Sequence, residues 1–161
     1  MQHRGSILGD PLFILTEIIG TVLLVWLAFT FIANAQSTGA LPAVGGFDPA
    51  QSVIDTRSLF DAGIVLSVVF MGIASALLAW QYQEKPQYFI VGIVALLILN
   101  FIYPVGSNIL IQAASTSALA QQAQLFTLTI WLIQNLPTVL MTISVVIFVA
   151  NYGKNALTVP M

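Results

Sequence analysis

The chain has 161 residues, 58% of them hydrophobic and 6% charged, and a net charge of −2. A soluble domain carries about 25% charged residues, so most of this surface has to face something apolar, and no nucleic-acid-binding face can be built from Arg4, Arg57, Lys85 and Lys154 alone. With no cysteine and a single histidine, His3, disulfides, thiolate sites, thiol nucleophiles and histidine metal clusters are all excluded.

In chain order, Met1 to Asp10 holds one arginine, but the apolar run behind it is too long for a signal peptide, so cleavage is not expected despite the weak Ala33–Asn34–Ala35 resemblance to a processing site. Crossing a hydrocarbon core of about 30 Å takes about 20 apolar residues. The first such span runs from Pro11 to about Ala33, with Asp10 as cap and Pro11 at the first helical position. Inside it stands Glu17. A carboxyl within the bilayer is costly and suggests a proton relay or cation site. With no second carboxylate or basic partner deep within any span, hydration near the interface or a protonated contact with another helix is favoured.

Residues 34–57 form a long loop containing Gly39, Pro42, Gly45, Gly46 and Pro49, and irregular structure is expected there. The second span runs from about Leu59 to Tyr82, and Ser58-Leu59-Phe60-Asp61 fits a capping box. Asp61 would complement the helix dipole. Together with Asp48 and Asp55 it would be a solvated charge or part of an acidic rim, and Arg57 is near enough to pair with Asp55 or Asp61. Small residues recur four apart, Gly63 with Ser67, Gly72 with Ala76 and Ser75 with Ala79, which favours close helix packing within the chain or between copies.

Gln83 to Gln87 is a tight turn, so spans two and three should form an antiparallel hairpin. The third span starts at Pro86 and ends between Tyr103 and Gln112; the uncharged stretch from Asn108 to Gln124 either extends it or lies at the interface. The fourth runs from about Leu125 to Tyr152. Pro104 and Pro137 remove helical donors to the carbonyls of Asn100 and Ile133. The amides of Asn100, Gln134 and Asn135 lie close by, suited to satisfying freed backbone or bonding across helices. Trp80, Tyr82, Tyr88 and Tyr152 read as headgroup anchors, whereas Trp26 and Trp131 read as packing residues.

The fold expected is therefore all-α and integral to the membrane: four transmembrane helices in a single domain, with spans at about 11–33, 59–82, 86–112 and 125–152. Both termini share a side with the 83–87 turn. Arg4, Lys85 and Lys154 on that side against Arg57 on the other favour the cytoplasm or its equivalent. No internal repeat, P-loop, dinucleotide fingerprint, metal-binding helix motif or nucleophile elbow is present, so neither enzymatic activity nor a cofactor is expected.

The stretch Leu59-Phe60-Asp61-Ala62-Gly63-Ile64-Val65-Leu66, the Lys85-Pro86 turn, Leu136-Pro137 and the closing Asn151-Tyr152-Gly153-Lys154 resemble small multi-span membrane proteins of icosahedral viruses with an internal membrane, of the tectivirus and corticovirus kind. The resemblance spans roughly residues 59 to 154 and assigns no functional residue. It implies a structural role in a virion's inner membrane, with the lipid bilayer and other membrane or capsid proteins as partners, and leaves room for a homo-oligomer. The 34–57 loop would be the surface offered to a capsid protein. A phage holin and an accessory subunit of a cellular membrane complex are the alternatives; the accessory subunit would make Glu17 the central residue.

Overall fold

The computed structural model describes residues 9–40, 48–81 and 89–157. They form seven helices: α1 (Gly9–Ser37), α2 (Pro49–Asp55), α3 (Arg57–Gln81), α4 (Phe89–Ser115), α5 (Ala120–Ala123), α6 (Thr127–Gln134) and α7 (Leu136–Leu157). No strand occurs among the described residues. Four stretches are long and apolar enough to cross a membrane: Pro11–Ser37, Arg57–Gln81, Phe89–Ser115 and Leu136–Gly153. The protein is an all-α, multi-span membrane bundle.

Its surface is the reverse of a soluble protein's. Phe31 and Ile90 are each 72% exposed and Phe101 75%, and water would penalise such apolar patches heavily. Lipid tails do not. Inside, Ile14, Val22 and Trp26 of α1 meet Leu99, Tyr103 and Leu110 of α4 and Leu132, Leu136 and Leu140 of α6 and α7 in one continuous core. Phe29 stands edge-on to Phe60 and Phe126, at 5.6 and 5.3 Å between ring centres, and so joins α1 to α3 and to the α5–α6 link.

The packing order differs from the chain order. α7 packs extensively on both α3 and α4, α1 closes the other side against the same two helices, and α3 and α4 scarcely touch. Spans two and three, expected as a tight hairpin, stand on either side of α7 and scarcely pack on each other. The 83–87 turn itself lies outside the described residues. Small residues explain the preference. Gly72 of α3 packs on Ile143 of α7, where even a Cβ would come within 3.0 Å of the side chain, and Ala79 packs with Ile147 and Ala150. Gly106 of α4 lets Leu15 of α1 approach in the same way.

The described parts of the 34–57 segment, 34–40 and 48–57, are more ordered than their composition suggests. α1 runs on to Ser37 and closes on Gly39, the one residue of positive φ (71°) among those described. Gly39 N–H donates to Gln36 O and Ala40 N–H to Ala35 O. That bond pair is a Schellman ending, which needs the left-handed conformation glycine adopts without steric cost. Residues 41–47 lie outside the described residues. Asp48 then caps α2: its Oδ1 accepts from Ala50 N (2.9 Å) and Gln51 N (3.0 Å), with Pro49 opening the helix. Gln36 Nε2 donates to Asp48 Oδ2 at 3.1 Å and ties α2 back to α1.

Helix ends elsewhere also shift. α1 already includes Gly9, so Pro11 is its third residue. α3 begins at Arg57, which places Ser58 inside the helix and removes the capping box. α4 absorbs residues 108–115, and the rest of the uncharged stretch makes a turn and α5. The expected fourth span is two helices, α6 and α7, broken at Asn135.

Candidate functional site

The informative residues are the polar side chains within this apolar body, because each must find a partner or face lipid. They divide into an inward and an outward set.

Asp61 leads the inward set. It is 6% exposed, and its side chain turns away from its own helix toward the first turn of α6. Oδ2 accepts from Leu128 N at 2.9 Å, and Oδ1 accepts from Thr129 N and Thr129 Oγ1, both at 2.7 Å. Phe126, the residue preceding α6, has no side chain able to cap it. The orphan N–H groups of α6 are thus satisfied by a carboxyl from α3, 67 residues away in sequence for Leu128. The expected solvated charge is instead a buried capping group, because a helix start inside the bundle offers better donors than the interface.

Arg57 also departs from expectation. Its Nη2 donates to Gln122 Oε1 at 3.2 Å and its guanidinium carbon lies 5.6 Å from the Phe29 ring centre. It does not pair with Asp55, whose Oδ1 accepts from Gln51 Nε2 at 2.7 Å, nor with Asp61. Arginine suits this place because its flat, weakly hydrated head lies against an aromatic face while still donating sideways.

The proline break has a specific repair. Pro137 cannot donate to Ile133 O, and Ser107 Oγ of α4 donates there instead, at 2.7 Å. Asn135, expected to serve this purpose, donates its amide to Trp131 O at 2.8 Å. A turn further along, the buried Tyr103 hydroxyl bonds Ser144 Oγ, which itself donates to Leu140 O at 2.8 Å. Sequence reasoning misses Gln122, Thr129, Ser107, Tyr103 and Ser144. Tyr103 and Ser107 do carry a signal: four residues apart, they share a helix face with Leu99 and Leu110. Trp26 Nε1 and both amide atoms of Asn151 are buried without a hydrogen-bond partner among the described residues.

The outward set includes Glu17, exposed on α1 and without a hydrogen-bond partner among the described residues. Asn100 and Pro104 face outward on α4. Gly63 faces outward on α3, where an added Cβ would meet nothing within 4 Å. Gly63 therefore serves no close approach inside the chain, unlike Gly72. Trp131, expected to pack, is 55% exposed, and Tyr152, expected as a headgroup anchor, is 7% exposed against Phe89 and Phe148. Phe89 at the start of α4 and Phe148 one turn back on α7 supply a packing surface that the sequence does not reveal. Tyr82 and Tyr88 lie outside the described residues.

Between α3 and α7 runs an open, apolar groove of about 600 Å³ along Gly72, Ile73, Ala76, Trp80, Thr142 and Val146. Its two hydroxyl-bearing residues are Thr138 and Thr142, and Thr142 turns its hydroxyl onto its own helix at Thr138 O, 2.8 Å away. No group of three or more His, Cys, Asp or Glu among the described residues is placed to hold a metal ion.

Compared with protein-family models, curated proteins and solved structures, the chain shows no match.

Proposed function

We propose that the protein is a non-enzymatic structural component of a membrane-containing virion, organising the inner membrane and its contact with the capsid. The observation that carries the structural part is how the interior polar groups are used. Asp61 and Thr129, Arg57 and Gln122, Ser107 and Ile133 O, and Tyr103 and Ser144 each join two different helices. Polar side chains arranged this way lock a bundle together; a conduction path would instead present them to a shared cavity.

The capsid contact belongs to the end of the bundle built from the close of α1, α2 and α5. Gln51, Ser52, Val53, Asp55, Gln121 and Gln124 are exposed there, a largely amide and hydroxyl surface that also carries the Asp55 carboxyl and is held in shape by the Gln36–Asp48 bond. Such a surface suits packing against protein. The virion assignment rests on the resemblance given above, and the topology that accompanies it keeps both termini on the opposite side.

The test is to isolate the protein from its native source without detergent and identify what accompanies it by mass spectrometry. Major capsid proteins with a lipid vesicle are expected. Respiratory or transport subunits instead would overturn the reading and favour an accessory subunit, a reading that the outward-facing Glu17 also fits. In that case Glu17→Gln should impair proton or ion movement.

A further inference from the structure

We infer that the outer face of α4 is a homotypic packing seam, and that Asn100 pairs with Asn100 of a second copy of this chain in the bilayer.

Ile93, Leu97, Asn100, Pro104, Asn108, Ile111 and Ser115 are all exposed, while Ala95, Leu99, Tyr103, Gly106 and Leu110 are buried against the bundle. The outward residues follow one another at steps of four, three, four, four, three and four. Their mean spacing of about 3.7 residues nearly equals the helical period, so the stripe stays on one side over about 33 Å of helix. It is a continuous face with no partner among the described residues.

Asn100 sits near the middle of that face and of the span. At 1.5 Å per residue it is about 16 Å from Phe89 and about 22 Å from Ser115, in a hydrocarbon layer about 30 Å thick. Its short side chain cannot reach either interface. Its amide has no hydrogen-bond partner among the described residues, although Asn135 shows that an asparagine here can turn onto its own helix. Pro104 adds a second unmet group, because it cannot donate to Asn100 O, and no described side chain does so. One outward spot in mid-membrane therefore presents a donor and two acceptors to lipid, which satisfies neither.

The partner has to bring both a donor and an acceptor to that same depth. A second copy related by a two-fold axis along the membrane normal does so necessarily, since its own Asn100 lies at the same depth and an amide complements itself. Each Asn100 then donates to the other's side-chain or main-chain oxygen. An asparagine at mid-membrane depth in a largely apolar seam fixes register and oligomer state in this way, and Asn108 and Ser115 lie nearer the end of the helix. Glu17, by contrast, lies nearer its helix end, and a carboxyl is complementary to itself only when protonated.

The natural sequence contains no cysteine, so single cysteines report contact without background. The full chain in lipid bilayers should form disulfide-linked dimers on mild oxidation with Leu97→Cys or Ile111→Cys, and not with Ile98→Cys or Val105→Cys, which flank the seam. Asn100→Leu should weaken dimerisation about tenfold, given the strength of interhelical polar contacts in membranes, with the unfolding of the monomer in detergent unchanged. A monomer at every protein-to-lipid ratio would overturn the inference. So would equal cross-linking at seam and flank, an Asn100→Leu dimer as tight as the parent, or capture of a different protein at Leu97→Cys without the homodimer. None of these outcomes depends on the virion role.

Discussion

Asp61→Ala offers the sharpest test of the interior. The substitution removes the acceptor for Leu128 N, Thr129 N and Thr129 Oγ1 at once. The threonine hydroxyl can rotate onto a carbonyl one turn back, but the two N–H groups at the start of α6 have no such recourse. Loss of a helix cap costs about 0.5–2 kcal/mol, and a buried donor left unpaired costs about 1–3 kcal/mol. Together these put Asp61→Ala at about 1.5–5 kcal/mol of destabilisation. Asp61→Asn keeps one oxygen for Thr129 N and turns an amide nitrogen toward Leu128 N, for about 1–2 kcal/mol. Thr129→Val removes one donor and leaves the carboxyl its other two, for about 1 kcal/mol. Unfolding in mixed micelles, followed by far-ultraviolet circular dichroism, measures all three, and a double-mutant cycle isolates the Asp61–Thr129 term at about 1 kcal/mol. A parent-like Asp61→Ala would refute the capping assignment. Strict additivity in the cycle would refute the direct bond.

Two further predictions separate positions that look alike in sequence. Gly63→Ala meets open space and should be neutral or stabilising by up to about 1 kcal/mol through helix propensity. Gly72→Leu must displace Ile143 and should destabilise by about 1–3 kcal/mol, with partial recovery in combination with Ile143→Ala; equal effects at the two glycines in the same unfolding assay would contradict the packing of α3 on α7. At the cap of α2, the bonds from Gln51 N, Gln36 and Ala50 N hold the Asp48 carboxyl below its ordinary value against a smaller opposing effect of burial. Because the folded value is depressed, the cap's contribution is complete above the ordinary aspartate range and is lost as pH falls through the folded value. The Ala50 and Gln51 amide resonances should titrate in that acid window, and Asp48→Asn should abolish the titration while keeping α2 capped. A midpoint at or above the ordinary aspartate value would be inconsistent with these bonds.

Much of the fold is legible in the sequence because composition and run length act on each segment separately. About 20 apolar residues make a span wherever they occur, so four spans emerge, three with ends displaced by only a few residues and the fourth starting at Leu136 instead of about Leu125. What sequence does not reveal is which helix stands beside which. Chain order suggests pairing α3 with α4, but Gly72 against Ile143 and Tyr103 against Ser144 draw both onto α7. Asp61 is legible as an unusual charge but not in its role, because the donors it meets belong to a helix start 67 residues away. The loop misleads for a related reason. Glycine and proline mark turns, yet Gly39 and Pro49 here end one helix and begin another.

The two prolines mark the division between what holds this chain together and what joins it to something else. Each frees a carbonyl in an apolar setting, so each should have gained a donor. Pro137 faces the bundle, and Ser107 supplies the donor from the neighbouring helix. Pro104 faces outward, and no side chain among the described residues donates to Asn100 O. If the carbonyl freed by Pro104 were simply tolerated, the adjacent Asn100 would be better replaced by leucine, which fits lipid on that face. A second polar group placed beside the first makes the site worse for lipid and better for a partner that brings hydrogen bonds. The same reasoning ranks the outward polar residues by depth. Glu17 lies close enough to its helix end to approach water, whereas Asn100 does not, so α4 is the face on which a missing partner costs most.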